Sequence, residues 1–240
     1  MSPSASTAPE PSVAVVIPTL NEAGAIGKVI LEIPRDLVRE IIVADSGSTD
    51  GTAEKARAAG ARVLSLSERG YGRACAAGAA AAPPDCDIIA FLDGDGSDRG
   101  DLLGALIHPI RAGSHDFVIT SRARGEREPG AMSWHQLFAG YLAGLLTFAL
   151  YGVRYTDICA FRAIRRSALR ELGMREMTYG WNVEMQLKAA RAGLRILEIP
   201  IPYRRRAAGE SKVAGTVRGT IRAGCRIVLT CLRVALSASE

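Results

Sequence analysis

Asp93-Gly94-Asp95 follows directly on the apolar run Ile88-Ile89-Ala90-Phe91-Leu92. Two carboxylates two residues apart, where a buried strand breaks into a loop, form a small anionic pocket. Such a pocket suits a hard divalent cation with oxygen ligands, and that cation can in turn hold a diphosphate. Gly94 and Gly96 leave room for backbone and ligand to come close. Asp and Gly also make ordinary turns. The triplet therefore takes its weight from its place after earlier strand-like segments, with further polar residues at the other strand ends.

Those segments alternate with helix-like ones. Val13–Ile17, Glu40–Ala44, Ala61–Leu66, Ile88–Leu92 and Phe117–Thr120 are short, apolar and rich in β-branched residues. Between them lie the Ala, Gly, Lys, Arg and Glu stretches Ala25–Glu32, Thr52–Ala59, Gly72–Ala82 and Asp101–Arg111. Near-continuous apolar strands separated by helices predict an α/β protein with a parallel sheet covered on both faces. Ligands of such sheets bind beyond the carboxyl ends of the strands. Here those ends carry Pro18-Thr19-Leu20-Asn21-Glu22, Asp45 through Thr52, Asp93-Gly94-Asp95 and Ser121-Arg122. Thr49 or Asp50 is expected to cap the helix after the second strand. Farther on, Trp134–Tyr151 reads as a helix, Cys159–Ile164 as a strand and Trp181–Ala192 as a helix in which Glu184 and Lys188 are spaced to pair. Leu194–Tyr203, with two Ile-Pro steps, suits an edge strand.

The 240 residues, 48% hydrophobic, suffice for one substantial core. A net charge of +5 and a pI near 9.1 fit phosphorylated substrates or an anionic membrane surface. No zinc-ligand spacing or aromatic RNA-binding signature accompanies the charge, so no nucleic-acid partner is expected. The five cysteines form no framework and read as reduced, small apolar residues. Residues 1–12, rich in Pro, Ser and Ala, read as a disordered leader. No uncharged apolar run reaches the ~20 residues needed to span a bilayer. Leu137–Tyr151, the longest, is broken by small residues.

In Val16–Glu22, Val43–Thr52, Asp93-Gly94-Asp95, Thr120-Ser121-Arg122 and Arg206–Lys212 the chain resembles the family 2 inverting glycosyltransferases. The likeness is to the polyprenyl-phosphate and dolichol-phosphate sugar transferases in particular. It implies a GT-A fold: a Rossmann-like mixed, mostly parallel central sheet flanked by helices. Residues 13–212 would form one domain, with a nucleotide-binding half over about 13–122 and an acceptor half over about 123–212. By this resemblance Pro18, Leu20, Asn21 and Glu22 border the base and ribose of a GDP- or UDP-linked sugar, and Asp45 accepts hydrogen bonds from the base. Asp93 and Gly94 lie on the nucleotide side. Asp93 and Asp95 hold Mg²⁺ or Mn²⁺, which would offset the charge growing on the leaving diphosphate. Arg122, Arg206 and Lys212 would clamp phosphate oxygens.

The acceptor decides the rest. A polyprenyl phosphate is already an anion and needs only in-line positioning. A hydroxyl acceptor needs a carboxylate base, for which Glu184 and Asp157 are the candidates, each with an alternative structural role. A nucleotidyltransferase would want a Gly-rich basic loop after the first strand, and the chain has none there. Two departures from the resembling family stand out. Ser97 occupies the place of a glutamine after the acidic pair, and residues 133–153 carry no Lys or Arg. Residues 213–240 read as an amphipathic helix with Arg218, Arg222, Arg226 and Arg233 on one stripe. The helix would lie on an anionic membrane, or pack its apolar face on the domain or on a second subunit, which leaves the oligomeric state open. The expected location is cytoplasmic, with peripheral contact at the cytosolic membrane face.

Overall fold

The structure, a computed structural model, describes residues 10–208 and 229–236. Lys212, most of the expected leader and most of the expected C-terminal helix lie outside the described residues; 229–236 is helical.

Seven strands, β1 (Ser12–Thr19), β2 (Glu40–Asp45), β3 (Arg62–Ser65), β4 (Cys86–Phe91), β5 (Phe117–Ser121), β6 (Arg162–Arg165) and β7 (Ile196–Pro200), form one sheet in the order β3-β2-β1-β4-β6-β5-β7. Its helices are α1 (Ile26–Glu32), α2 (Thr52–Ala58), α3 (Tyr71–Ala81), α4 (Leu103–Arg111), α5 (Trp134–Tyr151), α6 (Arg166–Glu171) and α7 (Trp181–Arg191). Only β6 runs against the rest, pairing antiparallel with both β4 and β5. The sheet is thus mixed and mostly parallel. Central strands with no polar face, such as Val13 to Ile17 on β1, are fully buried, as expected where helices cover both faces. The Ile-Pro strand β7 lies at one edge, where a missing N–H leaves no inner ladder broken.

The parallel register sets the site. Thr19 at the end of β1 stands beside Asp45 at the end of β2, and Val16 pairs with Phe91 on β4. The chain therefore leaves β1, β2 and β4 at the same edge, with Asn21, Ser46 and Asp93 just beyond it. Gly94 is required there, because a Cβ on it would lie 2.8 Å from Thr19 Cγ2.

Helix α5 begins in a capping box: Ser133 accepts from the Gln136 backbone N–H, and Gln136 Oε1 accepts from Ser133 N–H at 2.8 Å. It ends at Gly152 in the left-handed region. Its buried face is made of Gly140, Ala143, Gly144 and Thr147. A Cβ on Gly144 would sit 1.9 Å from the Tyr155 carbonyl oxygen. Small residues thus let the helix lie directly on the 155–157 backbone, and its large apolar side chains point elsewhere.

Candidate active site at the carboxyl edge of the sheet

The loop after β1 is fastened to the loop after β2 by side chains. Asn21, the one described non-glycine residue with positive φ (53°), accepts from Thr49 N–H at 2.9 Å and donates its own N–H to Ser48 Oγ at 2.8 Å. Asp50 accepts from Ala23 N–H at 3.0 Å and from Thr52 N–H at 3.1 Å. The N-cap of α2 is Gly51, in the left-handed region, rather than the expected Thr49 or Asp50; Asp50 serves the first turn only through the Thr52 N–H. Buried Asp45 accepts from Thr19 Oγ1 at 3.1 Å, Ser48 N–H at 3.0 Å and the Ser48 hydroxyl. Its carboxylate is fixed at the floor of this double loop. Pro18 is buried and Leu20 half-buried on the same turn.

The loop after β4 supplies three carboxylates. Asp95 is buried and accepts from Ser97 N–H at 2.9 Å and Ser97 Oγ at 2.6 Å. Asp93 is partly open; burial, then the charge of Asp95, pushes its pKa up to about 6 against the pull of Arg122. Asp98 was not singled out by the sequence. It is buried and accepts from Asp93 N–H at 3.1 Å. Burial and then the Asp93 charge push it up to about 8. Its only advance signal was a third acid five residues after Asp93, in a run already read as a turn.

Of the basic run Arg204-Arg205-Arg206, only Arg206 reaches these acids. Arg204 forms a fork on Glu32 of α1 at 2.9 and 3.1 Å, and the Arg205 backbone N–H donates to Glu128. Arg206 places Nη1 2.7 Å from Asp95 and Nη2 2.8 Å from Glu22. The chain here is laid along the acidic loop, with Arg204 N–H donating to Ser97 O at 3.2 Å and Ala207 N–H to Asp95 O at 2.9 Å. Arg206 Nε is buried and has no partner among the described residues.

Arg122 is placed differently from the expected clamp. Its Nε and Nη2 form a fork on Asp157 at 2.7 and 2.8 Å, its backbone N–H donates to the same carboxylate at 2.9 Å, and its guanidinium stacks 5.0 Å over Tyr203. Burial works against the Asp157 carboxylate, but the Arg122 charge outweighs it and holds the pKa below the usual range. Arg122 thus bears on the acidic loop as a fixed charge.

Glu184 needs the same correction. It is buried and accepts from Arg175 N–H at 3.0 Å and Glu176 N–H at 2.7 Å, and Lys188 Nζ lies 2.9 Å away. The spacing-based pair with Lys188 is present. With two backbone N–H groups and an ammonium on it, Glu184 holds the turn before α7 together. Arg162 of β6 also lay outside the sequence reading. It is fully buried, donates to Asn182 O and Ala160 O, and leaves Nη2 without a partner among the described residues.

Among the described residues no three Asp, Glu, His or Cys side chains gather closely enough to enclose a metal. Two hard carboxylates beside a cleft still suit a cation such as Mg²⁺, which takes one or two protein carboxylates and completes its shell with substrate phosphates and water. Burial first and the Asp95 charge second raise the pKa of Asp93, and a guanidinium rests on Asp95; a cation at this pair would relieve the second of those effects.

A mixed, mostly parallel sheet with Asp45, the acidic pair and Arg206 at one carboxyl edge has the architecture of the GT-A class. Residues 14–173 match the family described as Glycosyl transferase family 2. The chain is 36% identical over 214 residues to an uncharacterized glycosyltransferase of Mycobacterium tuberculosis, covering 88% of this chain and 93% of that one. It is 35% identical to a dolichyl-phosphate hexose transferase of Haloferax volcanii, with 91% and 93% covered, and 32% identical to an undecaprenyl-phosphate mannosyltransferase of Micrococcus luteus, with 86% and 89% covered. The solved glucosyl-3-phosphoglycerate synthase of Mycobacterium tuberculosis, in complex with Mn²⁺, UDP-glucose and phosphoglyceric acid, superposes with a TM-score of 0.74 at 25% identity, covering 94% of this chain and 80% of that chain. The chain belongs to glycosyltransferase family 2 and is a nucleotide-sugar-dependent glycosyltransferase.

Proposed function

We propose that this glycosyltransferase moves a sugar from a GDP- or UDP-linked donor to polyprenyl phosphate, with inversion at the anomeric carbon and with Mg²⁺ or Mn²⁺ bound at Asp93 and Asp95. The observation that carries the proposal is the single guanidinium of Arg206 joining Glu22 of the nucleotide loop to Asp95 of the acidic loop. It marks one point where a diphosphate and its cation would sit. The solved relative supports the metal and donor class, since it was captured with Mn²⁺ and UDP-glucose. The dolichyl-phosphate and undecaprenyl-phosphate transferases, matched over nearly the full length of both chains, support the acceptor.

In this reading Asp45 holds the base, while Pro18, Leu20, Asn21 and Glu22 shape the pocket around base and ribose. Arg206, and Lys212 by its place in the sequence, bind the phosphates. A bound divalent cation supplies positive charge to the leaving diphosphate oxygens. The acceptor phosphate oxygen forms the new bond to the anomeric carbon as the bond to the donor diphosphate breaks, and the electron pair leaves with the nucleoside diphosphate. No proton has to be removed, which agrees with the fate of the two base candidates: Glu184 and Asp157 are both consumed by internal partners. A hydroxyl acceptor would need one of them free.

The test is release of nucleoside diphosphate from a panel of sugar nucleotides, with and without undecaprenyl phosphate. Release that depends on the lipid supports the proposal. Release indifferent to the lipid overturns the acceptor.

A further inference from the structure

Tyr71 opens α3 and is half-buried, and its hydroxyl donates to the Asp93 carboxylate. The direction of that bond follows from the other partners of the phenol oxygen. Asn182 Nδ2 lies 3.5 Å away and can only donate. Cys75, one turn along the same face of α3, hydrogen-bonds the same hydroxyl. Burial and then the Asp93 charge push the Cys75 thiol up, so it keeps its proton and donates as well. A phenol has one proton to give. With two donors on its oxygen, that proton goes to Asp93, the acceptor of the three.

The frame around Tyr71 is held from two sides. Gly72 N–H donates to Thr178 O at 3.2 Å and Arg73 N–H to Met177 O at 3.0 Å. A Cβ on Gly72 would run into the Glu176 carbonyl. The start of α3 is thereby pressed onto the 176–178 turn, the same turn that Glu184 braces through Glu176 N–H at 2.7 Å. On the other side, buried Arg162 donates Nη1 to Asn182 O at 3.0 Å and so fixes the residue whose amide holds the phenol. The Glu184 brace and the buried arginine converge on one hydroxyl.

Resting on the metal reading above, we infer that Tyr71 is a positioning residue for the cation: its hydroxyl sets the orientation of the Asp93 carboxylate, as Ser97 sets that of Asp95. Asp95 takes two bonds from Ser97, at 2.9 and 2.6 Å, from within its own loop. Asp93 takes its side-chain donor from a different element, α3. A carboxylate already oriented by an outer hydrogen bond does not have to be ordered when the metal arrives, which is why such partners raise metal affinity without touching the metal.

Mn²⁺ binding to the full chain with UDP or GDP, followed by the loss of the free-ion paramagnetic resonance signal, tests the inference alongside nucleotide calorimetry and thermal melts. Tyr71→Phe keeps the ring and is expected to weaken Mn²⁺ ~10-fold, the cost of losing an outer partner of a metal ligand, with metal-free nucleotide affinity unchanged. Tyr155→Phe removes another tyrosine hydroxyl, one that donates to Gln186 O at 3.1 Å, and stands for a purely structural role. It is expected to lower Tm by about 2–4 °C and to leave Mn²⁺ affinity as it was. Unchanged Mn²⁺ affinity in Tyr71→Phe overturns the inference and leaves the metal site standing. An equal loss in Tyr155→Phe overturns it too, since loosening the core would then suffice. A wild type that binds nucleotide equally well with and without Mn²⁺ overturns the metal reading, and this inference with it.

Discussion

Glu22 and Asp95 leave different strands of the sheet, yet the two terminal nitrogens of one guanidinium, Arg206, hold them at 2.8 and 2.7 Å. The arginine is half-buried; burial opposes its charge, and Asp95 and then Glu22 outweigh that and raise its pKa. Such a cation adds, at Asp95 itself, to the positive charge that Arg122 brings to the acidic loop from farther off. Arg206→Ala is expected to lower kcat/KM about 10²–10³-fold by removing a phosphate-side donor. It is also expected to leave the fold intact, because the backbone bonds of 204–207 to the acidic loop remain. Steady-state kinetics with a thermal melt separate the two effects.

The ion pair of Arg122 and Asp157 is 12% and 1% exposed and includes a fork. Removing one partner strands the other, at a cost of about 3–5 kcal/mol. Arg122→Ala is therefore expected to lower Tm by about 10 °C, and Asp157→Asn by less, since an amide keeps part of the hydrogen bonding. An Arg122→Ala melt within 2 °C of wild type, taken as roughly the shift from about 1 kcal/mol, contradicts the structural part of its role.

Glu184→Gln separates a base from a brace. Loss of a general base costs about 10²–10⁴-fold in rate. A brace carrying Lys188 and two backbone N–H groups costs stability instead. The expected outcome is a lower Tm with kcat within about 3-fold of wild type, a change far smaller than that of a lost base.

The acidic loop sets a pH dependence for metal binding. The folded pKa values of Asp93 and Asp98 are raised to about 6 and about 8, so below those values the loop holds protons that a cation must displace. Mn²⁺-dependent nucleotide affinity is expected to rise with pH from 5 to 8. For stability the sign is the reverse: carboxyls with raised pKa bind more protons folded than unfolded, so their contribution is present at low pH and is lost as pH rises from about 4 through 8. Asp98→Asn is expected to flatten the upper part of both curves, read by titration calorimetry and by melts across pH.

Much of the fold was legible because its central strands are almost wholly buried. Val13–Ile17, Ile41–Ala44 and Ile88–Phe91 have no polar face to confuse with a helix, and their ends place Asp45 and Asp93 at one edge. The helix expected over Trp134–Tyr151 has those bounds, closed by a Ser-x-x-Gln box at one end and a left-handed glycine at the other. Helix α6 was missed because six residues show no period, and the reversed direction of β6 leaves no trace in composition. At the site, residue types told which groups carry charge but not which are already spoken for. Arg122 read as a free phosphate clamp until Asp157 was seen against it, and the Glu184–Lys188 spacing did not announce the backbone N–H groups of Arg175 and Glu176 that also hold Glu184. Asp98, Tyr203 and Arg162 act through tertiary contacts that no local spacing announces.

The most direct measurement is binding of UDP and GDP to wild type and Asp95→Asn, each with and without Mn²⁺. The wild type is expected to bind one of these nucleotides at least ~10-fold more tightly with the metal, about 1.4 kcal/mol, and Asp95→Asn is expected to lose that gain while keeping the metal-free affinity. A metal-dependent gain of the same size in Asp95→Asn would contradict the placing of the cation and the diphosphate at this edge.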